Sequence, residues 1–484
     1  MRSESRNSKG GDEARLPRRV GVVGAGTMGA GIAQLAALAR FDTHLHDPVP
    51  EALRGGEEQL RAALAKGADR GRWTLTEAEA ASARLRATSK LEDLAGCELV
   101  IEAAPEDLEL KRELFGRLAA VCGAEAILAT NTSSLSVTAI SSGLERPERA
   151  CGMHFFNPPA LMRLVEVVAG ERTSEQTLAI ASEVARAMGR EPIRAADAIG
   201  FVANRTARPF TLEALRLLGE RIATHDQIDR IVRIGGGFRM GPFELMDLVG
   251  VDVNFEVAKS FWEQSSHEPR WQPHPLQERL VAAGRLGRKS GRGWYEYEPG
   301  PHRPDDPPPP AQDADAVVAE ADPERIEGEG FVAVKLEAGS LGALAPGEEG
   351  AVGFVALPDL ARARLVEVVR GPHTDGRALG AAGRFFADLG KDVECVPGDA
   401  PGLVLGRIVC QIVNEAHFAV GQGVATAEDV DVAMRLGFNW PRGPFEWAEA
   451  IGPARVVRVL DGLRSELGAD RYRVAPLLRR AAKE

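Results

Sequence analysis

Short apolar runs alternate with helical patterns from residue 20 to residue 195, the arrangement that builds stacked strand–helix–strand units. Val20–Val23 predicts a short buried strand, and the alanine- and leucine-rich stretch Met28–Ala39 predicts a helix. Thr43–Asp47, Glu98–Ala103, Ala126–Thr130 and Cys151–Phe156 predict further strands. The expected product is an open parallel sheet with helices on its faces. From Gly200 to about Gly284 the spacing turns helical, as in Leu212–Leu218 and Ile228–Ile234, and strand-like alternation stops. Gly293–Tyr297 predicts a short extended segment that closes this part of the chain. The stretch Pro299–Pro323, with its run Asp305-Asp-Pro-Pro-Pro-Pro310, predicts a stiff, exposed linker.

Beyond the linker the pattern repeats. Arg163-Leu-Val-Glu-Val-Val168 returns as Arg364-Leu-Val-Glu-Val-Val369, and Gly241-Pro-Phe-Glu244 returns as Gly443-Pro-Phe-Glu446. The second register also maps Glu213 onto Glu415, Asp229 onto Asp431 and Gly250 onto Gly452. One nearly constant offset over this distance signals an internal duplication: the helical part occurs twice, and a shortened sheet segment precedes the second copy.

The chain has 484 residues, a net charge of −11, 44% hydrophobic and 27% charged residues. Such a composition fits a globular protein with a substantial core, and the acidic balance offers no electrostatic footprint for nucleic acid. No apolar run reaches the roughly 18 residues that a membrane span requires. The opening residues mix Arg, Ser, Glu and Asp without an apolar stretch, which reads as a disordered tail rather than a signal peptide. Cys97, Cys122, Cys151, Cys395 and Cys410 are scattered without metal-ligand spacing, so reduced thiols in a cytoplasmic protein are expected and no metal is.

Gly24-Ala-Gly26-Thr27-Met28-Gly29 follows the first strand directly and opens a helix. The first glycine permits the tight turn, the second lets backbone approach a pyrophosphate, and the third allows close helix–sheet contact, while the helix N-terminus offers free N–H groups. Asp47 ends the second strand, where a carboxylate would accept from an adenosine ribose and repel a 2′-phosphate. The expectation is an NAD site of the Rossmann type.

His154 lies in Met153-His-Phe-Phe-Asn157-Pro158, at the carboxyl end of a predicted strand, the edge at which open α/β sheets bind ligands. A histidine there can serve as a base near neutral pH, although a lone histidine is more often a packing residue. Glu166 stands within the apolar strand Leu164-Val-Glu-Val-Val168, where an acid needs a partner if it is buried. A neighbouring imidazole would supply one; an edge position facing solvent is the alternative. Ser133 lies in Asn131-Thr-Ser-Ser-Leu135, where Ser133 or Ser134 could equally be a helix cap. Asn204 lies at the entry to the helical part.

These motifs, taken with Gly241-Pro-Phe-Glu-Leu245, resemble the 3-hydroxyacyl-CoA dehydrogenases over residues 18 to 298. The resemblance implies NAD-dependent, reversible oxidation of an (S)-3-hydroxyacyl-CoA to the 3-oxoacyl-CoA, as in β-oxidation, phenylacetate or butanoate metabolism. It implies that His154 is the general base and Glu166 its partner, and that Ser133 and Asn204 bind the 3-oxygen and thioester region. Glu106, Lys111, Asn131, Asn157 and Lys289 are implied to approach the NAD, beside Gly24, Gly26, Thr27, Met28, Gly29 and Asp47. The substrate is expected between the sheet domain and the helical domain. Lys66, Arg70 and Arg72 are candidate contacts for CoA, although Gly67–Trp73 departs from the family's pattern and a solvated surface reads equally well.

The expected division is a tail over 1–17, an NAD-binding Rossmann-like domain over 18–198, and an all-α domain over 199–298. A Pro-rich linker over 299–324, a reduced Rossmann-like segment over 325–400 and a second all-α domain over 401–484 follow, a layout that resembles the longer bacterial members of the family. At the repeat offset His154 becomes Val355, Asn204 becomes Gly406, and only Glu166 persists, as Glu367; one active site is therefore expected, not two. The helical copies are expected to pair, either within the chain as a pseudo-dimer or across a homodimer. A dehydrogenase of free 3-hydroxy acids and a non-catalytic NAD(H)-binding protein remain alternative readings.

Overall fold

The computed structural model describes residues 15–310 and 322–483. Most of the expected tail and part of the expected linker lie outside the described residues. The chain divides into two compact units, one ending at Phe201 and the other beginning at Val202.

The first unit is built on eight strands: β1 (Arg19–Val23), β2 (Asp42–His46), β3 (Leu85–Thr88), β4 (Leu99–Glu102), β5 (Ile127–Thr130), β6 (Ala150–Phe155), β7 (Leu164–Ala169) and β8 (Glu191–Ala196). They lie in the order β3-β2-β1-β4-β5-β6-β7-β8, so the order in which strands are added reverses at β1, as in doubly wound sheets. Apolar side chains leave both faces. Ile32, Leu45, Ile101, Met153 and Val165 fill one core cluster, and Val23, Val100, Phe115, Leu118 and Leu128 fill the other. Burial on both faces explains why these strands read as unbroken apolar runs.

The sheet is mixed rather than wholly parallel as the sequence pattern suggested. β6 and β7 are antiparallel, because the connection between them is a short loop with no crossover helix. The same reversal sets His154 directly opposite Glu166. β3 and β8 carry polar or proline residues, and their apolar signal was too weak to predict them.

The second unit begins with the helix Ala203–Gly219 and contains its counterpart, the helix Leu405–Gly421. Between them runs a five-stranded sheet of β9 (Arg325–Gly328), β10 (Phe331–Lys335), β11 (Ala351–Ala356), β12 (Leu365–Arg370) and β13 (Asp392–Val396), ordered β13-β12-β11-β10-β9. β10 and β11 are parallel, β11 and β12 antiparallel, and β12 and β13 parallel. That sequence of directions repeats β5 to β8, and Val355 faces Glu367 as His154 faces Glu166. The shortened segment has therefore kept the half of the sheet that contains the acid-bearing strand and lost the half that begins with the glycine-rich turn.

The repeated Gly-Pro-Phe-Glu motif has one physical explanation in both copies. Asp229 accepts from the backbone N–H groups of Phe243 and Glu244, and Asp431 from those of Phe445 and Glu446. A Cβ on Gly241 or Gly443 would fall 2.2 Å from that carboxylate carbon. Proline at the first helical position has no N–H to leave unpaired, and Glu244 and Glu446 return to the N–H of their own glycine.

The helices Ala203–Gly219 and Leu405–Gly421 are joined by reciprocal buried ion pairs. Arg205 donates to Glu415 at 2.8 Å, and Arg407 donates to Glu213 at 2.6 Å. Tyr472 adds a hydroxyl donor to Glu213 at 2.8 Å. The described start of the linker is more than an exposed spacer: its prolines other than the half-buried Pro310 are exposed, but Asp306 binds Arg233, while His302 and Arg303 bind the buried Glu244. Charge pairing pins a segment whose prolines gave no sign of it.

Candidate active site

The first unit carries a cleft of about 810 Å³ at the carboxyl end of β1, lined by Gly24, Gly26, Thr27, Met28, Asp47, Ala104 and Leu110 among others. The three glycines of the turn at its edge stand in three different settings. Gly24 has φ +97, and a Cβ there would meet the Ala103 carbonyl oxygen at 2.6 Å. A Cβ on Gly29 would lie 1.7 Å from the Gly24 carbonyl oxygen. At Gly26 a Cβ would meet nothing within 4 Å. That glycine is not needed by the protein's own packing, which is the expected signature of backbone that a ligand approaches. The helix Thr27–Leu38 starts beside it and presents the unsatisfied N–H groups of its first turn. A pyrophosphate fits this cradle.

Asp47 braces the cradle as well as lining the cleft. One carboxylate oxygen accepts from the Ala25 N–H and the other from the Val49 N–H, both at 2.9 Å. Each oxygen keeps a further lone pair for a ribose hydroxyl.

From the end of β4 onward the polar groups form a connected network. Glu102 is fully buried and accepts from Lys111 Nζ, the Ala104 N–H and the Thr130 hydroxyl, each at 2.6 Å. Lys111 also lies 3.4 Å from Glu106. Lys111 is thus held inside the protein as a counter-ion for two carboxylates. Sequence reasoning missed Glu102 and Thr130; an acid ending the apolar strand Leu99–Glu102, nine residues before a lysine, was the available signal.

Glu106 in turn organises the hydroxyl-rich loop. Its Oε1 accepts from the Thr132 hydroxyl at 2.7 Å, from the Ser133 and Ser134 N–H groups at 3.0 Å, and from the Ser134 hydroxyl at 2.9 Å. The cap of the following helix is Ser136, which accepts from the Ala139 N–H, so neither Ser133 nor Ser134 is used for capping. Burial opposes ionisation of Glu106, but the Thr132 hydrogen bond, the Lys111 charge and the two serines outweigh it and hold the carboxyl below the usual range. A carboxyl lowered in the folded state stabilises it above the unfolded pKa, and the benefit is lost as pH falls through the folded value. Acidification is therefore expected to loosen the Ser133 loop. Below about pH 4 the melting temperature should fall less for Glu106→Gln than for the unaltered chain, measured against each protein's value at neutral pH.

His154 and Glu166 form the chemical centre. Nδ1 of His154 lies 2.6 Å from Oε2 of Glu166, across the β6–β7 pair, with both side chains buried. Phe156 and Phe201 stand 4.5 and 5.8 Å from the imidazole, centroid to centroid. Because the carboxylate engages Nδ1, the imidazole is oriented with Nε2 available for proton transfer. The buried reading of Glu166 is thus the correct one, and the edge-strand alternative is not.

The remaining expected residues occupy varied settings. Asn131 accepts from the Phe155 N–H at 2.8 Å, tying the Ser133 loop to β6, and Asn157 is exposed just after β6. Asn204 lies in the first turn of the helix Ala203–Gly219. Lys289 is in the second unit, paired with Asp252 at 2.7 Å. Lys66, Arg70 and Arg72 are exposed together at the end of the helix Pro50–Asp69. There Trp73 folds back over Gly67, where a Cβ would strike the indole at 1.9 Å, which explains the unusual sequence of that turn.

Oxidising an alcohol requires a hydride acceptor and a proton acceptor, and a sheet with a dinucleotide cradle and a buried imidazole–carboxylate pair belongs to the dinucleotide-linked dehydrogenases. The family models agree and narrow the class. The NAD-binding domain of 3-hydroxyacyl-CoA dehydrogenase matches residues 19–198, and the C-terminal domain of the same family matches residues 200–297 and again 402–484. The chain belongs to the 3-hydroxyacyl-CoA dehydrogenase family, whose NAD-dependent members oxidise 3-hydroxyacyl-CoA. It is 38% identical to the 3-hydroxyadipyl-CoA dehydrogenase of Escherichia coli, over 96% of this chain and 97% of that one. It is 37% identical to the mitochondrial hydroxyacyl-coenzyme A dehydrogenase of Sus scrofa, over 62% of this chain and 98% of that one. The crystal structure of a 3-hydroxybutyryl-CoA dehydrogenase from Escherichia coli superimposes with a TM-score of 0.89 at 36% identity, over 97% of this chain and 99% of that one. Among the described residues no helix is long and apolar enough to cross a membrane.

Proposed function

We propose that His154 is the general base for oxidation of the 3-hydroxyl of an (S)-3-hydroxyacyl-CoA, that Glu166 positions it, and that Ser133 and Asn204 bind the reacting end of the substrate. The observation that carries this reading is the 2.6 Å contact between His154 Nδ1 and Glu166. It fixes one tautomer, leaves Nε2 to receive the hydroxyl proton, and stabilises the imidazolium that forms. Bound NAD supplies the hydride acceptor for the substrate's C3. Ser133 and Asn204 donors polarise the 3-oxygen in the reverse direction. Gly24, Gly26, Thr27, Met28, Gly29 and Asp47 hold the dinucleotide, and Glu106, Lys111 and Asn131 keep the Ser133 loop in place beside it.

The substrate class we favour is a 3-hydroxydicarboxylyl-CoA, the kind named for the Escherichia coli relative that matches both copies of the repeat. We read the second helical copy as the internal partner of the first, an intrachain pseudo-dimer supported by the reciprocal Arg205–Glu415 and Arg407–Glu213 pairs. A cytoplasmic setting fits the five free cysteines.

The test is NADH oxidation with 3-oxoadipyl-CoA, 3-oxohexanoyl-CoA, acetoacetyl-CoA and free acetoacetate. All three thioesters should be turned over, 3-oxoadipyl-CoA with the highest kcat/KM, and the free acid should not. Comparable turnover of the free acid would remove the CoA ester from the reading. NADH binding with no turnover of any thioester would replace catalysis by simple cofactor binding.

A further inference from the structure

Arg208 is a buried cation with no anion beside it among the described residues. It lies one turn beyond Asn204 on the helix Ala203–Gly219 and is 6% exposed. Its Nη1 has no hydrogen-bond partner. Its Nε has only a 3.4 Å contact with the Asn204 carbonyl oxygen, and its guanidinium stands 5.3 Å over the Phe261 ring. Burial pushes its pKa down to about 10, with no neighbouring carboxylate to oppose the shift. Arg205, on the same helix, is as deeply buried and has its carboxylate. Leaving a buried charge unpaired is costly, so Arg208 calls for a role that packing does not supply.

The duplication provides an internal comparison. At the repeat offset Arg205 and Glu213 persist as Arg407 and Glu415, and these make the ion pairs between the helices. Asn204 becomes Gly406 and Arg208 becomes Cys410. A helix of the same kind in the same setting therefore folds with a small thiol in place of the guanidinium. The position equivalent to Arg208 was lost along with the active-site positions, whereas the structural positions were kept.

The second copy also shows which positions share a site. Gly406, Cys410 and Val355 line one residual space of about 10 Å³. These are the counterparts of Asn204, Arg208 and His154. The residue at the Arg208 position thus belongs to the same pocket as the residues at the catalytic positions, in a copy where that pocket has nearly closed and where Lys335, Glu337 and Arg455 also line it.

We propose that Arg208 binds the terminal carboxylate of a dicarboxylyl-CoA substrate and so sets the preference of the enzyme for that class. The proposal rests on the substrate reading given above. The planar guanidinium matches a carboxylate through two parallel hydrogen bonds. The side chain folds back so that its Nε lies 3.4 Å from the Asn204 carbonyl oxygen, beside the residue assigned to the reacting end of the substrate. In a six-carbon dicarboxylyl ester the terminal carboxyl stands about 4 Å from the 3-carbon, near enough to that end to be met by a neighbouring guanidinium.

The test uses the full chain, unaltered and as Arg208→Met and Arg208→Lys, with 3-oxoadipyl-CoA and 3-oxohexanoyl-CoA. These two esters share the CoA moiety and differ at the terminal carboxylate. The ratio of their kcat/KM values should fall on the order of 10²-fold in Arg208→Met, the range for a charged hydrogen-bonded contact, and less in Arg208→Lys. The melting temperature of Arg208→Met should hold or rise, because an unpaired buried charge has been replaced by a hydrophobe. If both esters decline together and the ratio is unchanged, Arg208 serves the fold or the CoA phosphates and the proposal is overturned. A preference that survives in Arg208→Met overturns the assignment of Arg208 and leaves the substrate reading standing. An unaltered enzyme with no preference for the dicarboxylyl ester overturns both.

Discussion

His154→Ala is expected to lower kcat for acetoacetyl-CoA reduction by about 10³-fold, within the 10²–10⁴-fold range that a positioned general acid–base contributes. The imidazole is the only group on β6 that the fold has oriented for proton transfer, and Glu166 has no second imidazole to turn to in the β6–β7 pair. Glu166→Gln should reduce kcat by about 10²-fold through the imidazole, because an amide cannot stabilise the imidazolium as a carboxylate does. The two effects should not add: in His154→Ala the further change Glu166→Gln should be nearly silent, since the residues act as one unit. NADH affinity, followed by fluorescence titration, should be retained in all three variants, because the cradle of Gly24, Gly26 and Gly29 belongs to a different set of strands. Near-normal turnover in His154→Ala would sink the assignment.

The parts of this site that the sequence made legible share a physical property: they sit where a local rule is broken. Gly24, Gly26 and Gly29 interrupt a strand–helix junction with residues that lower intrinsic helix stability. Glu166 places a charge in an apolar strand. Each exception points to a function because its local cost demands a compensation. The face-to-face placement of His154 and Glu166 was not legible in the same way. It depends on β7 running antiparallel to β6, which the apolar pattern does not specify, since burial on both faces erases the alternation that would report register.

Lys111 illustrates the opposite limit. Its sequence neighbourhood reads as a helix, and apart from the acid that ends the apolar strand nine residues earlier nothing indicates that its ammonium is buried against Glu102 and Glu106. Long-range partners of this kind are set by tertiary packing and leave no periodic trace. The duplication supplied part of what periodicity could not. Positions retained across it, such as Asp229/Asp431 and Glu213/Glu415, prove to be hydrogen-bonding or ion-pairing groups of the helical fold. Glu367 belongs with them. Without a histidine opposite, it accepts from the Val404 and Leu405 N–H groups at the start of the helix Leu405–Gly421. An acid retained after the loss of its imidazole is explained by this helix-capping contact alone.

Arg407→Met is expected to destabilise the second unit by about 3–5 kcal/mol, the penalty for removing one partner of a buried ion pair. Arg407 is fully buried, and its guanidinium lies within 2.9 Å of Glu213 Oε1 through two nitrogens, with Glu220 and the Tyr472 hydroxyl completing its contacts. Its removal strands Glu213, 1% exposed, with Arg216 at 3.6 Å as the remaining cation. The loss should appear as a lower urea midpoint in tryptophan fluorescence, to which the second unit contributes five of the six tryptophans, all but Trp73. Glu213→Leu combined with Arg407→Met should recover much of the loss, because replacing both ions by hydrophobes removes the stranded charge. The same result bears on the meaning of the duplication. If Arg407→Met unfolds the first helical copy together with the second, the copies form one cooperative body and the second persists as the partner of the first. A first copy that remains folded while the second melts would separate them and remove the internal-partner reading.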